Sequence, residues 1–153
     1  MFSIYLLPGS HHGFLKAMQL LNKKFTLFGA EEFLVKDNNK GFEEFIEGAR
    51  VLAPWATDEY RKRFEDRFGY SGGFFYTPAF YDFLNLLTDI TADQQNLKGE
   101  SLVNAMRFSG TRVGVSGKYS LKISKKGVHS YSFPIAVYQV KEGKTLVEQV
   151  IEF

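Results

Sequence analysis

The stretch that decides the fold is residues 4–29, which read IYLLPGSHHGFLKAMQLLNKKFTLFG. Apolar runs at residues 4–7 and 25–28 have the length of buried strands, and a proline or a glycine follows each run. The apolar residues between the runs recur at helical spacing and are Phe14, Leu15, Met18 and Leu21. This order predicts a β-α-β unit, because two parallel strands need a crossover helix of about this length.

The rest of the chain extends this unit. Thr57 is the predicted N-cap of a helix, and Gly69 is predicted to end that helix. The other predicted helices are residues 42–46, 75–90 and 100–108, and the other predicted strands are residues 50–53, 119–123, 135–140 and 146–151. The sequence therefore predicts an α/β fold with a parallel sheet and flanking helices, to which the strand-rich tail adds an edge.

The helix predicted over residues 75–90 has an apolar stripe. Its members are Phe80, Phe83, Leu84 and Leu87. The stripe predicts the face on which this helix packs against the sheet. Tyr81 is likewise expected to lie against the sheet, and Asp82 is expected to face solvent.

Composition and charge exclude several function classes. The net charge is +2, from 19 basic and 17 acidic residues, and the lysine pairs are scattered, so no nucleic-acid partner is predicted. The absence of cysteine excludes disulfides, thiolate zinc sites and cysteine nucleophiles. No apolar run approaches the roughly 20 residues that a membrane span needs.

The adjacent histidines, His11 and His12, are candidate metal ligands. Adjacent side chains diverge, helical ligand pairs use i, i+4 spacing, and no nearby acid completes a set, so the pair is interpreted as part of a helix start. A Gly-x-Ser-x-Gly nucleophile elbow at Ser10 would need glycines at positions 8 and 12, where proline and histidine stand. We predict no catalytic residue, metal or cofactor, and we do not expect an enzyme.

Polar residues follow both strands of the β-α-β unit. Gly9, Ser10 and His11 lie between the first strand and the helix, where free backbone N–H groups favour an anionic group. Glu31 and Glu32 follow the second strand, at the edge where open α/β sheets bind ligands. One of these carboxylates would hold an ammonium group by a charge-assisted hydrogen bond. A solvated helix start with acids in its first turn explains the two glutamates equally well.

Trp55 is the only tryptophan and follows Pro54. It serves either as a packing residue or as a stacking platform, and packing is favoured because bulky aromatic side chains are mostly buried.

Segments along the whole chain resemble the type I periplasmic solute-binding proteins, the leucine/isoleucine/valine-binding group in particular. The segments that carry the resemblance are residues 4–21, 28–31, 47–54, 60–69, 80–87, 113–120 and 137–144. Their order and spacing carry the resemblance rather than any one of them. It implies two α/β lobes joined by hinge strands. Residues 1–54 and 135–153 would belong to the C-terminal lobe, and residues 55–134 to the N-terminal lobe.

The resemblance also implies a function. The acid that pairs with the ammonium of an amino-acid ligand maps to Glu31, and Gly9, Ser10 and His11 map to the rim of the cleft between the lobes. A small polar ligand, such as an amino acid, would be delivered to the membrane subunits of an ABC transporter or sensed by a receptor. The expected location is the periplasm or the bacterial cell surface. The alternative is a protein-interaction module on the same fold with no small-molecule ligand.

The resemblance covers only the C-terminal portion of such a protein. The chain begins in a predicted strand with no charged leader before it, so we expect a truncated portion of a two-lobed protein. Apolar faces and sheet edges that lack their partner strands predict self-association.

Overall fold

The computed structural model describes residues 2–4, 10–29, 31–69, 76–92, 99–123 and 129–153. A 3-10 helix spans Glu31–Leu34. In chain order the other elements are β1 (Phe2–Ile4), α1 (Ser10–Leu20), β2 (Leu27–Gly29), α2 (Lys36–Asn39), α3 (Glu43–Ile46), β3 (Arg50–Pro54), α4 (Asp58–Phe68), α5 (Thr77–Ala92), α6 (Glu100–Phe108), β4 (Arg112–Gly114), β5 (Gly117–Ile123), β6 (His129–Ser132), β7 (Ile135–Lys141) and β8 (Lys144–Ile151). Most of the predicted first strand, residues 5–7, lies outside the described residues.

The chain divides into two compact units. Unit 1 comprises Met1–Ala53 with Ile135–Ile151, and unit 2 comprises Pro54–Pro134 with Glu152–Phe153. None of the helices within the described ranges combines the length and the apolar character that crossing a membrane requires.

Unit 1 is built on a five-stranded sheet of order β1-β2-β3-β7-β8. β1, β2 and β3 run parallel, with Ile4 opposite Gly29 and Gly29 opposite Val51. β7 and β8 form an antiparallel hairpin at the edge. The predicted α/β class, with a parallel sheet, flanking helices and an edge supplied by the C-terminal tail, is confirmed.

α1 and the sheet both contribute buried side chains to the core of unit 1. Leu15 and Met18 of α1 are buried, as are Leu27 and Val51 of the sheet and Tyr138 on β7. These side chains are among those that the helical and strand periodicities place on inward faces. Leu21, the last residue of the predicted stripe, lies beyond α1 and is 69% exposed, so the pattern predicts the packing of α1 only in part.

The β7–β8 hairpin closes through a two-residue turn. Glu142 and Gly143 both have positive φ, 51° and 68°, as a turn that matches the twist of the flanking strands requires. The N–H of Glu142 donates to both carboxylate oxygens of Glu47, each at 3.0 Å. The run Lys141-Glu142-Gly143-Lys144 between two predicted strands predicts a glycine turn from the sequence, and this prediction is confirmed.

Unit 2 combines α4, α5 and α6 with a three-stranded antiparallel sheet of order β4-β5-β6. Thr57 caps α4, because its hydroxyl accepts from the N–H of Tyr60 at 3.3 Å, and Gly69 ends α4 at φ 72°. Both predictions are confirmed. Tyr119 on β5 and Tyr131 on β6 have ring centres 5.4 Å apart, and burial raises the pKa of each hydroxyl.

The predicted orientation of α5 was wrong. Asp82 is 2% exposed and Tyr81 is 45% exposed, the reverse of the expectation. Phe80 and Leu84, two members of the predicted stripe, are 63% and 59% exposed. The side chains that α5 buries are Pro78, Ala79, Asp82 and Leu86.

The physical reason is a set of hydrogen bonds to Asp82. Its Oδ1 accepts from the N–H of Val115 at 2.9 Å, and its Oδ2 accepts from the N–H of Ser116 at 2.7 Å and from the hydroxyl of Ser116. A Cβ at Gly114 would collide with the same carboxylate. Because a buried carboxylate is stable only when it is hydrogen-bonded, this contact fixes which face of α5 is inside.

Candidate ligand-binding site

Two polar segments start at the same edge of the unit 1 sheet. β1 and β2 are parallel neighbours, with Ile4 opposite Gly29. α1 begins at Ser10, after β1, and the 3-10 helix begins at Glu31, after β2. Neighbouring parallel strands lie about 4.8 Å apart, so both helices start near the carboxyl ends of adjacent strands. Open α/β sheets bind ligands at this edge.

The start of α1 is electropositive. Ser10 is exposed, and no acidic side chain lies in the first turn of this 11-residue helix. The N–H groups of that turn have no partner within the helix, and they carry partial positive charge that no side chain of α1 neutralises. A ligand carboxylate is the group that such a helix end attracts.

The start of the 3-10 helix is electronegative. Glu31 and Glu32 occupy its first turn and are half-buried, while Phe33 and Leu34 are buried beneath them. Among the described residues, no ion pair involves Glu31. The 3-10 helix therefore starts with two carboxylates, whereas α1 has no acidic residue in its first turn.

His11, in the first turn of α1, packs against the 3-10 helix. It is 2% exposed, and its ring centre lies 6.0 Å from that of Phe33, in an edge-on arrangement. Neither ring nitrogen has a hydrogen-bond partner within the part of the chain that the structure describes. This contact joins the first turn of α1 to the turn that carries Glu31.

His12 points elsewhere. It is exposed, with its ring centre 4.8 Å from that of Phe42, so the two histidines contact different rings. Over the described ranges, no cluster of three or more His, Cys, Asp or Glu residues is arranged to hold a metal ion. Gly9, the remaining predicted site residue, lies outside the described residues.

Trp55 is a packing residue in unit 2. Its N–H donates to the carbonyl of Pro134 at 3.1 Å. A Cβ at Gly117 would lie 3.0 Å from both the Trp55 ring and the Pro134 ring, so the three residues pack without space for a larger side chain. The structure favours the packing interpretation over a stacking platform.

Sequence reasoning missed an exposed surface in unit 2, which we call the aromatic groove. It has a volume of about 660 Å³. Its principal lining residues are Tyr60, Phe64 and Phe68 of α4 and Phe80, Tyr81 and Leu84 of α5. The i, i+4 spacing of the α4 aromatic residues was the available signal, but spacing alone does not show whether anything covers them.

The chain is similar to known proteins in structure, whereas comparisons of its sequence find no match. No protein-family model matches the chain, and no curated protein matches it. Among solved structures, it superposes on the leucine-binding protein LivK of Thermotoga maritima with a TM-score of 0.70, at 15% identity over 98% of this chain. LivJ of Streptococcus pneumoniae, in complex with isoleucine, gives 0.71 at 10% identity over 97%.

The chain has the fold of the type I periplasmic solute-binding proteins. The predicted resemblance is thereby confirmed at the level of fold. A solute-binding protein of an ABC transporter from Rhodopseudomonas palustris, in complex with 3,4-dihydroxybenzoic acid, has the same fold, with a TM-score of 0.70 at 15% identity over 98% of this chain. The chain spans 44% of LivK, 42% of LivJ and 45% of the Rhodopseudomonas protein, less than half of each.

Proposed function

We propose that this chain is part of an extracytoplasmic solute-binding protein that holds a small zwitterion, such as an amino acid, at the sheet edge of unit 1. The observation that carries the proposal is the pairing of opposite charges there. The electropositive start of α1 and the carboxylate of Glu31 follow adjacent parallel strands. An α-amino acid carries a carboxylate and an ammonium group close together, and the two features complement them.

Each predicted site residue has a role in this proposal. The hydroxyl of Ser10 and the first N–H groups of α1 bind the ligand carboxylate. Gly9, by the resemblance, belongs to the rim of the binding cleft. Glu31 accepts hydrogen bonds from the ligand ammonium. His11, which is buried, supports the site through its contact with Phe33.

Glu31 also favours one ligand class over another. Similar proteins were solved with isoleucine and with benzoic acids. A benzoate is an anion with no ammonium group, so the carboxylate of Glu31 would repel it. We therefore propose an amino acid rather than an aromatic acid.

The biological setting follows from the same proposal. Residues 1–54 and 135–153 would be part of the C-terminal lobe, and residues 55–134 part of the N-terminal lobe. Ligand binding would stabilise one conformation that the membrane subunits of an ABC transporter or a receptor recognise. The protein would act in the periplasm or at the bacterial cell surface, by binding and release rather than by catalysis.

A thermal-shift screen of the chain against the twenty amino acids, benzoic acids and small sugars tests the proposal. We expect one group of amino acids to raise the melting temperature by several degrees, since ligand at 100 times its Kd stabilises by about 2.7 kcal/mol. Stabilisation by a benzoic acid alone would contradict the proposed ligand class. No stabilisation of folded protein by any compound would favour the alternative, a protein-interaction module.

A further inference from the structure

The adjacent histidines of α1 contact two aromatic rings in the segment that follows β2. The His11 ring centre lies 6.0 Å from that of Phe33, and the His12 ring centre lies 4.8 Å from that of Phe42, both in edge-on arrangements. Phe33 and Phe42 are buried. The start of α1 therefore holds residues 33–42 at both ends of this segment.

Asn39 of α2 connects the two ends of residues 33–42. Its side chain is buried, and its Nδ2 donates to the carbonyl of Phe33 at 2.8 Å and to that of Val35 at 3.0 Å. The carbonyl of Asn39 in turn accepts from the N–H of Phe42 at 2.9 Å. Asn39 thus ties the 3-10 helix to the start of α3.

The contacts of the Asn39 side chain require an amide at this position. Both partners are carbonyl oxygens, which need a donor, and the amide nitrogen carries two N–H groups. An aspartate would set oxygen against oxygen, and an alanine would leave both carbonyls without this donor. The amide nitrogen therefore determines how the 3-10 helix is held against α2.

Glu31 belongs to the turn that Asn39 and His11 hold. The 3-10 helix is four residues long and begins at Glu31, two residues before Phe33. In a helix of a single turn, fixing the ring and the carbonyl of Phe33 also fixes the backbone that carries Glu31. Because His11 lies in the first turn of α1, the carboxylate is then fixed relative to the start of that helix.

We propose that Asn39 and His11 are positioning residues, which hold Glu31 where it receives the ammonium group of an amino-acid ligand. This role rests on the proposed function. Both side chains are buried, and both act through Phe33 rather than by touching the ligand. A carboxylate that is already in place does not lose freedom on binding, so the ligand binds more tightly.

Isothermal titration calorimetry of Asn39→Ala tests this role. The probes are the amino acid, among the twenty, that stabilises the natural chain most, and the same compound without its amino group. We expect the Kd to rise roughly five- to tenfold for the amino acid. The compound without the amino group makes no contact with Glu31, so its Kd should change less than about twofold.

Asn38→Ala is the matched control, because it is the same substitution one position earlier in α2, at a partly exposed side chain. It should leave both dissociation constants unchanged. A purely structural role of Asn39 would lower the melting temperature but leave both constants as they are, or raise them equally. Either result in folded Asn39→Ala would overturn the proposal.

His11→Ala provides a second variant, which decides the matter if Asn39→Ala does not fold. It removes the ring that contacts Phe33, and it breaks no side-chain hydrogen bond within the described part of the chain. We expect the same selective loss of affinity for the amino acid. Equal effects on the two compounds in folded His11→Ala would contradict a positioning role.

A two-dimensional ¹H–¹⁵N NMR comparison without ligand separates this proposal from the proposed function. Asn39→Ala is expected to shift the amide signals of Glu31 and Glu32, and Asn38→Ala to leave them in place. If none of the twenty amino acids binds the natural chain, the proposed function fails, whatever these signals show. If Glu31 and Glu32 keep their signals in Asn39→Ala, Asn39 does not position Glu31, whatever the ligand.

Discussion

Replacing Asp82 with asparagine is expected to lower the free energy of unfolding of the chain by about 3 kcal/mol and its melting temperature by roughly 10 °C. Both carboxylate oxygens accept hydrogen bonds, Oδ1 from Val115 and Oδ2 from Ser116. An asparagine has one acceptor oxygen, so its amide nitrogen would face a backbone N–H, donor against donor. Differential scanning calorimetry and urea unfolding measure the loss.

The matched control is Asp89→Asn on the same helix. Asp89 pairs with Arg112 at 2.6 Å, but its side chain is 60% exposed, and an exposed ion pair contributes less than about 1 kcal/mol. Far-ultraviolet circular dichroism must first show that both variants fold. Equal losses for the two variants would mean that the Asp82 contacts do not fix α5.

The second large effect concerns ligand affinity. Glu31→Gln is expected to raise the Kd for the amino acid found by screening about thirtyfold, since a charge-assisted hydrogen bond contributes about 2 kcal/mol. The glutamine keeps the size of the side chain and removes the charge that pairs with the ammonium group. Isothermal titration calorimetry measures both affinities.

Glu32→Gln is the matched control, because Glu32 is the next residue in the same turn and undergoes the same change of charge. A second comparison uses the ligand without its amino group. Loss of the ammonium should weaken binding to the natural chain but have little further effect on Glu31→Gln, since the partner is already absent. Equal effects of Glu31→Gln and Glu32→Gln would indicate a general change of charge rather than a specific contact.

Much of the fold was predictable because its elements have clear periodicities. The β-α-β unit follows from two apolar runs and a helical stripe within residues 4–29, and α1 buries Leu15 and Met18 as that stripe requires. The hairpin of β7 and β8 follows from two predicted strands on either side of a glycine turn. In these segments the pattern predicts the elements, but not every buried side chain, since Leu21 of the stripe and Leu146 of β8 are exposed.

The orientation of α5 was not predictable in the same way. Its apolar stripe contains Phe80 and Leu84, but the buried face is the one that carries Asp82. A stripe shows which residues share a face and not what lies opposite. The partners of Asp82 are on Val115 and Ser116, more than thirty residues away, and no local pattern predicts such a pairing.

The candidate site shows the same division. Residues 4–29 predict two parallel strands, and the segments that begin at Ser10 and Glu31 follow these strands. Their placement at one edge of the sheet therefore follows from the predicted topology. The contact of the buried His11 ring with Phe33 does not follow, because it depends on how α1 and the 3-10 helix pack.

The most direct test of the central claim is a two-dimensional ¹H–¹⁵N NMR titration of the labelled chain with each of the twenty amino acids. A ligand held between the start of α1 and Glu31 should shift the amide signals of residues 10–13 and 31–34 together and leave those of α4 and α5 unchanged. Shifts confined to unit 2, or none at residues 31–34 with any of the twenty, would contradict an amino-acid site at this sheet edge.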